Sequence, residues 1–167
     1  MENSFVSKPL AARMAPKGLE DIVGQTHLIG EGKILTNLVQ NKKLFSMILY
    51  GSPGIGKTSI SQAIVNDLGI RYRFLNATIN SKKDIDIVVE EAKMYGSLVL
   101  IMDEIHRLNK DKQDILLPHL ENGLLVLIGM TTANPYHSIN PAIRSRCQLF
   151  ELKSLKLEDI TMALKKA

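Results

Sequence analysis

The stretch Gly51-Ser-Pro-Gly-Ile-Gly-Lys57-Thr58 decides the fold, because it lies between an apolar run at 46–50 and an amphipathic segment that begins at Lys57. Its spacing predicts a phosphate-binding loop when a strand precedes it and a helix follows. Its three glycines permit the left-handed backbone angles that turn N–H groups inward, and the helix N-terminus adds partial positive charge. The candidate phosphate contacts are Gly51, Ser52, Pro53, Gly54, Ile55, Gly56, Lys57 and Thr58.

Two side chains of this loop have distinct expected roles. Lys57 reaches the β and γ phosphates of a nucleotide as a mobile charge, and the Thr58 hydroxyl completes the ligand shell of a magnesium ion. The pattern therefore predicts ATP and Mg²⁺ as ligands. A glycine-rich connector that binds nothing is the alternative, and the flanking strand and helix disfavour it.

Short apolar runs alternate with longer amphipathic segments along the rest of the chain. This alternation is typical of βαβ units and predicts an α/β fold of three layers, with a five-stranded, mostly parallel sheet between helices. The predicted strands are 46–50, 72–75, 98–102, 124–128 and 148–152. The predicted helices are Ile34–Asn41, Lys57–Leu68, Lys82–Tyr95, Lys110–Glu121 and 141–146.

The same pattern divides the chain into three parts. Residues 1–45 are expected to form an arm with one helix that belongs to the same domain, and residues 46–153 form its core. Residues 157–167 resemble a helix that lacks a capping glycine and a partner for its apolar face. We therefore expect 154–167 to begin a second domain, a lid that is truncated here.

The composition is that of an ordinary globular protein: of 167 residues, 45% are hydrophobic and 23% are charged. This excludes disordered and fibrous classes. The net charge of +4 suits an anionic partner, but the lysines are dispersed, and charge alone does not favour a nucleic-acid surface. The only cysteine, Cys147, excludes an intramolecular disulfide and is predicted to be a small buried hydrophobe. We expect no leader segment, no membrane partner and a cytoplasmic location, nucleoid-associated if the source is bacterial.

Two carboxylates follow the apolar run at 98–102. Since ligands bind at the carboxyl ends of parallel strands, Asp103 and Glu104 are expected beside the phosphate loop. Asp103 is predicted to hold magnesium, and Glu104 to polarise the water that attacks the γ phosphate. A solvated turn is the alternative, and the phosphate loop earlier in the chain disfavours it.

Polar side chains also follow the fourth run and precede the fifth. Asn134, in Thr131-Thr-Ala-Asn134, has the donor and acceptor groups to orient a water between Glu104 and the phosphate, although such clusters also form turns. Arg144 and Arg146 lie just before the fifth strand. Either supplies an arginine for phosphoryl transfer across a subunit boundary, while exposed salt bridges are the simpler interpretation.

The four histidines, His27, His106, His119 and His137, are scattered, which disfavours a zinc site. His106 is close to the acidic pair in sequence. That placement is compatible with a contact to the nucleotide or to a neighbouring subunit. It is equally compatible with an ordinary surface position.

These motifs, in this order, resemble the N-terminal ATPase region of the replication-associated recombination protein A family, which includes the Werner helicase-interacting protein and is related to clamp-loader subunits. The resemblance runs from about residue 8 to the end and implies an AAA+ core. Its specific part is Asp103-Glu-Ile-His-Arg-Leu-Asn-Lys110 with Leu117-Pro-His119. Its other parts are 9–16, 19–25, 27–30, 47–58 and 145–147, of which Ile22-Val-Gly-Gln25 and Ser145-Arg-Cys147 are shared with clamp loaders.

The resemblance implies further roles. Ile22, Val23 and Gly24 line the adenine pocket, Asn134 is the sensor of the γ phosphate, and Arg146 is the finger given to the next subunit. It also implies ATP or ADP as ligand, DNA ends or forked DNA and single-strand-binding protein as partners, and a homo-oligomer. The 167-residue chain alone is then expected to be a monomer with weak ATPase activity. Four positions depart from the family pattern: Ser52, Ile55, Ala15 and Ala133.

Three alternatives to this ATPase remain open from sequence. One is a clamp-loader subunit, and another is a nucleotide-dependent binding module with little turnover. The third, a P-loop kinase, is disfavoured because Glu104 and Asn134 suit the activation of water.

Overall fold

A computed structural model describes residues 17–154 and 164–165 of the chain. Ala15 and the first part of the expected arm lie outside these residues. So does most of the helix expected at 157–167, of which Leu164 and Lys165 are described and helical. Within this described part of the chain, no helix has the length and apolar character needed to span a bilayer.

Five parallel strands form one sheet in the order β2-β3-β4-β1-β5. The strands are β1 Met47–Tyr50, β2 Tyr72–Asn76, β3 Leu98–Asp103, β4 Leu125–Thr131 and β5 Gln148–Glu151. The predicted α/β class is confirmed. Strand β4 extends three residues beyond its predicted end because it pairs with β1 through Tyr50 and Thr131, and that pairing is not visible in the local pattern.

The helices of the described residues flank this sheet. They are α1 Ile34–Asn41, α2 Lys57–Leu68, α3 Lys82–Tyr95, α4 Lys110–Glu121, α5 Pro135–Ser138 and α6 Pro141–Arg144. The first four have their predicted bounds. Helix α6 ends two residues before the predicted limit, so Arg146 lies in the turn that leads to β5. Helix α5 was not predicted, although Asn134 followed by proline is a recognisable start signal.

The core consists of two apolar layers, one on each face of the sheet. Side chains along a strand alternate between faces, and β3 shows this clearly: Leu98, Leu100 and Met102 pack with α3 and α4, whereas Val99 and Ile101 pack with α1 and α2. Helices on both faces make the three predicted layers. Because all five strands are parallel, their carboxyl ends lie along one edge of the sheet, and the loops of the candidate site follow those ends.

Candidate nucleotide site

The loops that follow β1, β3 and β4 surround one cavity of about 390 Å³. Strand β1 pairs with β4, and β4 pairs with β3, so the loops that follow these strands are neighbours in space. The cavity is lined by Pro53, Gly54, Gly56, Lys57, Thr58, Ser59, Asp103, Glu104 and Thr132. The structure therefore brings the predicted phosphate loop and the predicted acidic pair to the same site.

The phosphate loop adopts backbone angles that favour glycine. Gly54 and Gly56 have φ of 76° and 105°, and Gly56 caps the N-terminus of α2. At Gly51 a side chain is excluded for another reason, because a Cβ atom there would lie 2.8 Å from the carbonyl oxygen of Leu152. The loop therefore passes directly against the chain that leaves β5.

Lys57, the first residue of α2, is 9% exposed. Its Nζ donates hydrogen bonds to the carbonyl oxygens of Gly51 and Ser52, at 2.8 and 2.9 Å. Burial lowers the pKa of Lys57, and the neighbouring carboxylates of Asp103 and Glu104 oppose this shift. The ammonium group is thus held over the loop and within the field of the acidic pair.

Thr58 and Asp103, the predicted magnesium ligands, both line the cavity. The Thr58 hydroxyl is 3.9 Å from Met130 Sδ, and Asp103 Oδ1 accepts a hydrogen bond from the Glu104 N–H at 2.8 Å. A hydroxyl and a carboxylate are the hard oxygen ligands that magnesium prefers, and usually one or two protein groups hold it beside phosphates. The residues present therefore fit this ion.

Glu104 has left-handed backbone angles, φ 53° and ψ 40°, directly after β3. A non-glycine residue in this region is uncommon and costs about 1–3 kcal/mol, so the surrounding structure must maintain it. The turn directs the side chain into the cavity, where Glu104 Oε2 lies 3.3 Å from His106 Nε2. The predicted base therefore has a defined partner.

His106 and Thr131 extend this contact, and sequence reasoning did not assign either of them to the site. His106 Nδ1 is 2.7 Å from Thr131 Oγ1, which in turn accepts the Ala133 N–H at 3.0 Å. One signal was present in the sequence, since His106 is two residues after Glu104. The contribution of Thr131 depends on the pairing order of the strands.

Asn134 lies outside the cavity in the structure. Its Oδ1 accepts the Tyr136 N–H at 2.9 Å and caps α5, and its side chain is exposed. From the same segment it is Thr132 that lines the cavity. The sensor role of Asn134 therefore stays a prediction, and it requires the amide to leave this cap.

The two candidate arginines have different surroundings. The Arg144 guanidinium donates to the Tyr136 carbonyl oxygen at 2.7 Å and lies 5.8 Å from the centre of that tyrosine ring. Arg146 is half-exposed and pairs with Glu121 of α4 at 3.2 Å. Arg144 therefore connects α6 to α5, whereas Arg146 makes one exposed ion pair with α4, and neither side chain lines the cavity.

The segment with the predicted adenine contacts is joined to the chain that leaves β5, and none of its three residues lines the cavity. Ile22, Val23 and Gly24 are partly buried, and Ile22 packs on the same apolar cluster as Ile55. Gln25, which follows them, makes two hydrogen bonds to the backbone of Lys153, at 2.8 and 2.9 Å. The arm is thereby attached to the chain that leaves β5, beside the loop.

Cys147, the remaining residue singled out in the sequence, is partly rather than fully buried. Burial raises the pKa of its thiol to about 12. Cys147 packs against the apolar cluster that includes Ile143 and Leu149. This position agrees with the expected packing role.

Among known proteins, this chain is similar to AAA proteins. The model of the ATPase family associated with various cellular activities (AAA) matches residues 47–155. Replication-associated recombination protein A is 62% identical in Bacillus subtilis, over 96% of this chain, and 39% identical in Escherichia coli K12, over 99% of this chain. ATPase WRNIP1 of Dictyostelium discoideum is 39% identical over 95% of this chain. The matched region is 18% of the length of that protein.

The chain spans 38% of the length of both bacterial relatives. Among solved structures, the Thermotoga maritima RuvB Holliday junction branch migration motor has a TM-score of 0.77 at 23% identity. The match covers 92% of this chain and 53% of that one. At this identity the likeness concerns the fold, which is the same open parallel sheet with helices on both faces.

Proposed function

Because this chain belongs to the AAA family of ATPases, and within it to the replication-associated recombination protein A group, we propose that it binds ATP and hydrolyses it in work on DNA at replication forks. The observation that carries the proposal is the shared cavity. Lys57 of the phosphate loop and Glu104 of the acidic pair line the same 390 Å³ space, although 47 positions separate them in the chain. The cytoplasm is the proposed location.

In this site each residue has one task. The loop N–H groups and the Lys57 ammonium bind the phosphates, and the segment at Ile22–Gly24 receives the adenine ring. Thr58 and Asp103 hold Mg²⁺, which neutralises phosphate charge when bound. The Glu104 carboxylate accepts a proton from the attacking water.

Two further residues complete the proposed mechanism. Asn134 orients the attacking water once its amide leaves the α5 cap, and Arg146 leaves Glu121 to meet the γ phosphate of a neighbouring subunit. The exposed position of Arg146 supports this second role, because a side chain that makes one exposed ion pair loses little by leaving it. A homo-oligomer is therefore part of the proposal, and the 167-residue chain alone is a monomer with weak activity.

DNA is the proposed macromolecular partner. The support is the names of the relatives, which refer to replication-associated recombination. The net charge of +4 is compatible with an anionic partner. We propose DNA ends or forked DNA, handled beside single-strand-binding protein. The family relatives favour this function over a clamp-loader subunit.

The test compares ATP turnover by the assembled protein without DNA, with blunt duplex ends, with a forked duplex and with closed circular duplex. Stimulation by ends or forks, and not by the closed circle, is the expected result. Turnover that is equal in all four conditions would instead identify a nucleotide-dependent binding module. Formation of a phosphorylated small molecule in place of free phosphate would identify a kinase.

A further inference from the structure

Three side chains from two strand ends form one series of polar contacts beside the cavity: an ion-pair contact between Glu104 and His106, and a hydrogen bond between His106 and Thr131. Glu104 Oε2 lies 3.3 Å from His106 Nε2, and His106 Nδ1 lies 2.7 Å from Thr131 Oγ1. The Ala133 N–H donates to the same hydroxyl oxygen at 3.0 Å. The series therefore joins the carboxylate after β3 to the backbone of the segment after β4.

The hydrogen positions in this series follow from what each group can do. A backbone N–H only donates, so Thr131 Oγ1 accepts from Ala133 and has its own hydrogen available for His106 Nδ1. If Nδ1 accepts, the imidazole hydrogen is on Nε2, the ring nitrogen that lies 3.3 Å from Glu104 Oε2. The hydrogen bonds from Ala133 to Thr131 and from Thr131 to His106 then have the same direction, and the Nε2–H of the imidazole lies beside the carboxylate.

Burial restricts the movement of these three side chains. Thr131 is 1% exposed, and the side chains of His106 and Glu104 are 14% and 35% exposed. Water therefore competes least for the hydrogen bonds of the threonine and most for those of the carboxylate. The carboxylate has to remain accessible to the reacting water. Since both ring nitrogens are engaged, the imidazole cannot turn without breaking a shielded hydrogen bond.

We infer that His106 is a positioning residue that orients the Glu104 carboxylate, and that Thr131 fixes the tautomer in which it does so. The series also couples the base to residues 132–134, where Thr132 lines the cavity. A displacement of that segment on nucleotide binding then changes the orientation of the base. The role assigned to the carboxylate rests on the proposed function, whereas the hydrogen-bond arrangement does not depend on it.

The first test measures the tautomer without reference to activity. Two-bond ¹H–¹⁵N spectra of the 167-residue chain at pH 7.5 should show His106 protonated on Nε2 and unprotonated on Nδ1. Thr131→Val should lose this preference, and Thr131→Ser, which keeps the hydroxyl, should retain it. A wild-type His106 that is protonated on Nδ1, or a Thr131→Val protein with an unchanged spectrum, would overturn the inference.

The second test measures single turnover of ATP and ATP affinity. His106→Phe keeps a ring, and it should lower the rate by about 10- to 100-fold, the effect that loss of an orienting outer-shell partner has at metal sites, with little change in affinity. His119→Phe is the matched control, because the His119 Nδ1 has no hydrogen-bond partner within the described residues. Thr131→Val should lower the single-turnover rate as His106→Phe does, and Thr131→Ser should keep the wild-type rate.

A double-mutant cycle distinguishes positioning from general damage to the fold. In a Glu104→Gln background, His106→Phe should slow hydrolysis no further, because there is no carboxylate left to orient. Equal effects of His106→Phe in both backgrounds would overturn the inference, as would wild-type turnover by His106→Phe itself. If wild type is no faster than Glu104→Gln, it is the proposed ATPase function that fails, and the tautomer then decides the inference alone.

Discussion

Lys57 supplies the mobile positive charge of the phosphate loop, and its replacement tests the loop assignment. Lys57→Ala removes charge-assisted hydrogen bonds of about 1.5–3 kcal/mol each, so we expect ATP affinity to fall by at least ~10²-fold. The fold should remain, because the side chain faces the loop carbonyls and not the apolar core. Titration calorimetry with ATP and magnesium measures the change, with Lys43→Ala, an exposed lysine, as control. An unchanged affinity would contradict the assignment.

Glu104 is the proposed general base, and replacing its carboxylate by an amide of the same length tests that role. Glu104→Gln preserves the side-chain length and leaves Asp103 in place, so we expect ATP to bind with near wild-type affinity. Hydrolysis should be at least ~10²-fold slower, which is the usual effect of losing a general base. Phosphate release is the measurement, and a rate near that of wild type would show that another group accepts the proton.

Cys147 tests the packing of the turn before β5. Burial raises the pKa of its thiol to about 12 from an ordinary value of 9.0, and the thiolate is the species that reacts with alkylating agents. At pH 8.5 iodoacetamide should therefore modify the folded chain at least ~10²-fold more slowly than the chain in urea. Since the folded pKa is the higher one, the contribution of Cys147 to stability is present below pH 9 and is lost as the pH rises above it. Similar alkylation rates in both states would mean that the thiol is solvated.

At the scale of elements, the close contact between β4 and the turn after β3 determines where Glu104 lies. A Cβ atom on Gly129 of β4 would be 2.8 Å from Ile105 Cδ1, and Ile105 is the first residue of the short 3₁₀ helix Ile105–Arg107. This helix carries His106 and directly follows Glu104. A larger side chain at 129 therefore acts on the site through the backbone of the turn.

Alanine and valine at position 129 should differ in effect. Gly129→Val should lower the free energy of unfolding by about 1–3 kcal/mol, the usual cost of overpacking a core, and should also slow hydrolysis. Gly129→Ala should cost less, because the clashing atom is the flexible end of Ile105. Urea unfolding measures both, and a valine variant as stable as the alanine variant would show that the turn moves freely.

At the scale of the whole molecule, the proposed role of Arg146 predicts that catalysis depends on assembly. The side chain is half-exposed and pairs with Glu121, outside the cavity of its own chain. An arginine finger contributes about 10³ to 10⁵ in rate where it has been measured. We therefore expect the 167-residue chain to bind nucleotide as a monomer and to hydrolyse it slowly. Sedimentation and turnover as a function of protein concentration measure this, and fast hydrolysis by a monomer would contradict it.

Mixed assemblies test the same proposal directly. An Arg146→Ala subunit retains its own base, and a Glu104→Gln subunit retains its arginine, so mixing them should restore some active interfaces. Arg144→Ala is the control for the arginine: because Arg144 is bonded to the carbonyl oxygen of Tyr136 in its own chain, assemblies of this variant should hydrolyse ATP at nearly the wild-type rate without a second subunit type. If demonstrated subunit exchange leaves hydrolysis at the level of the separate mutants, Arg146 does not act in trans.

The sequence by itself determined the parts of this protein that depend on neighbours along the chain. The phosphate loop with its strand and helix is one continuous stretch, and so is β3 with the acidic pair, so local pattern predicted both. Four helix bounds were correct for the same reason, since apolar periodicity and end signals are local. The family resemblance then supplied roles for residues such as Arg146 that their own surroundings do not identify.

Only the tertiary structure decided the contacts between distant residues. The strand order β2-β3-β4-β1-β5 places Thr131 beside His106, 25 positions away in sequence, and Gln25 beside Lys153, 128 positions away. It also shows the Asn134 amide engaged as a helix cap. Local patterns contain no information on which strand ends become neighbours, because pairing reflects the packing of both faces of the sheet at once. The phosphate loop and the acidic pair are therefore visible as local patterns in the sequence, while the contacts of His106 with Glu104 and Thr131 depend on how the sheet is assembled.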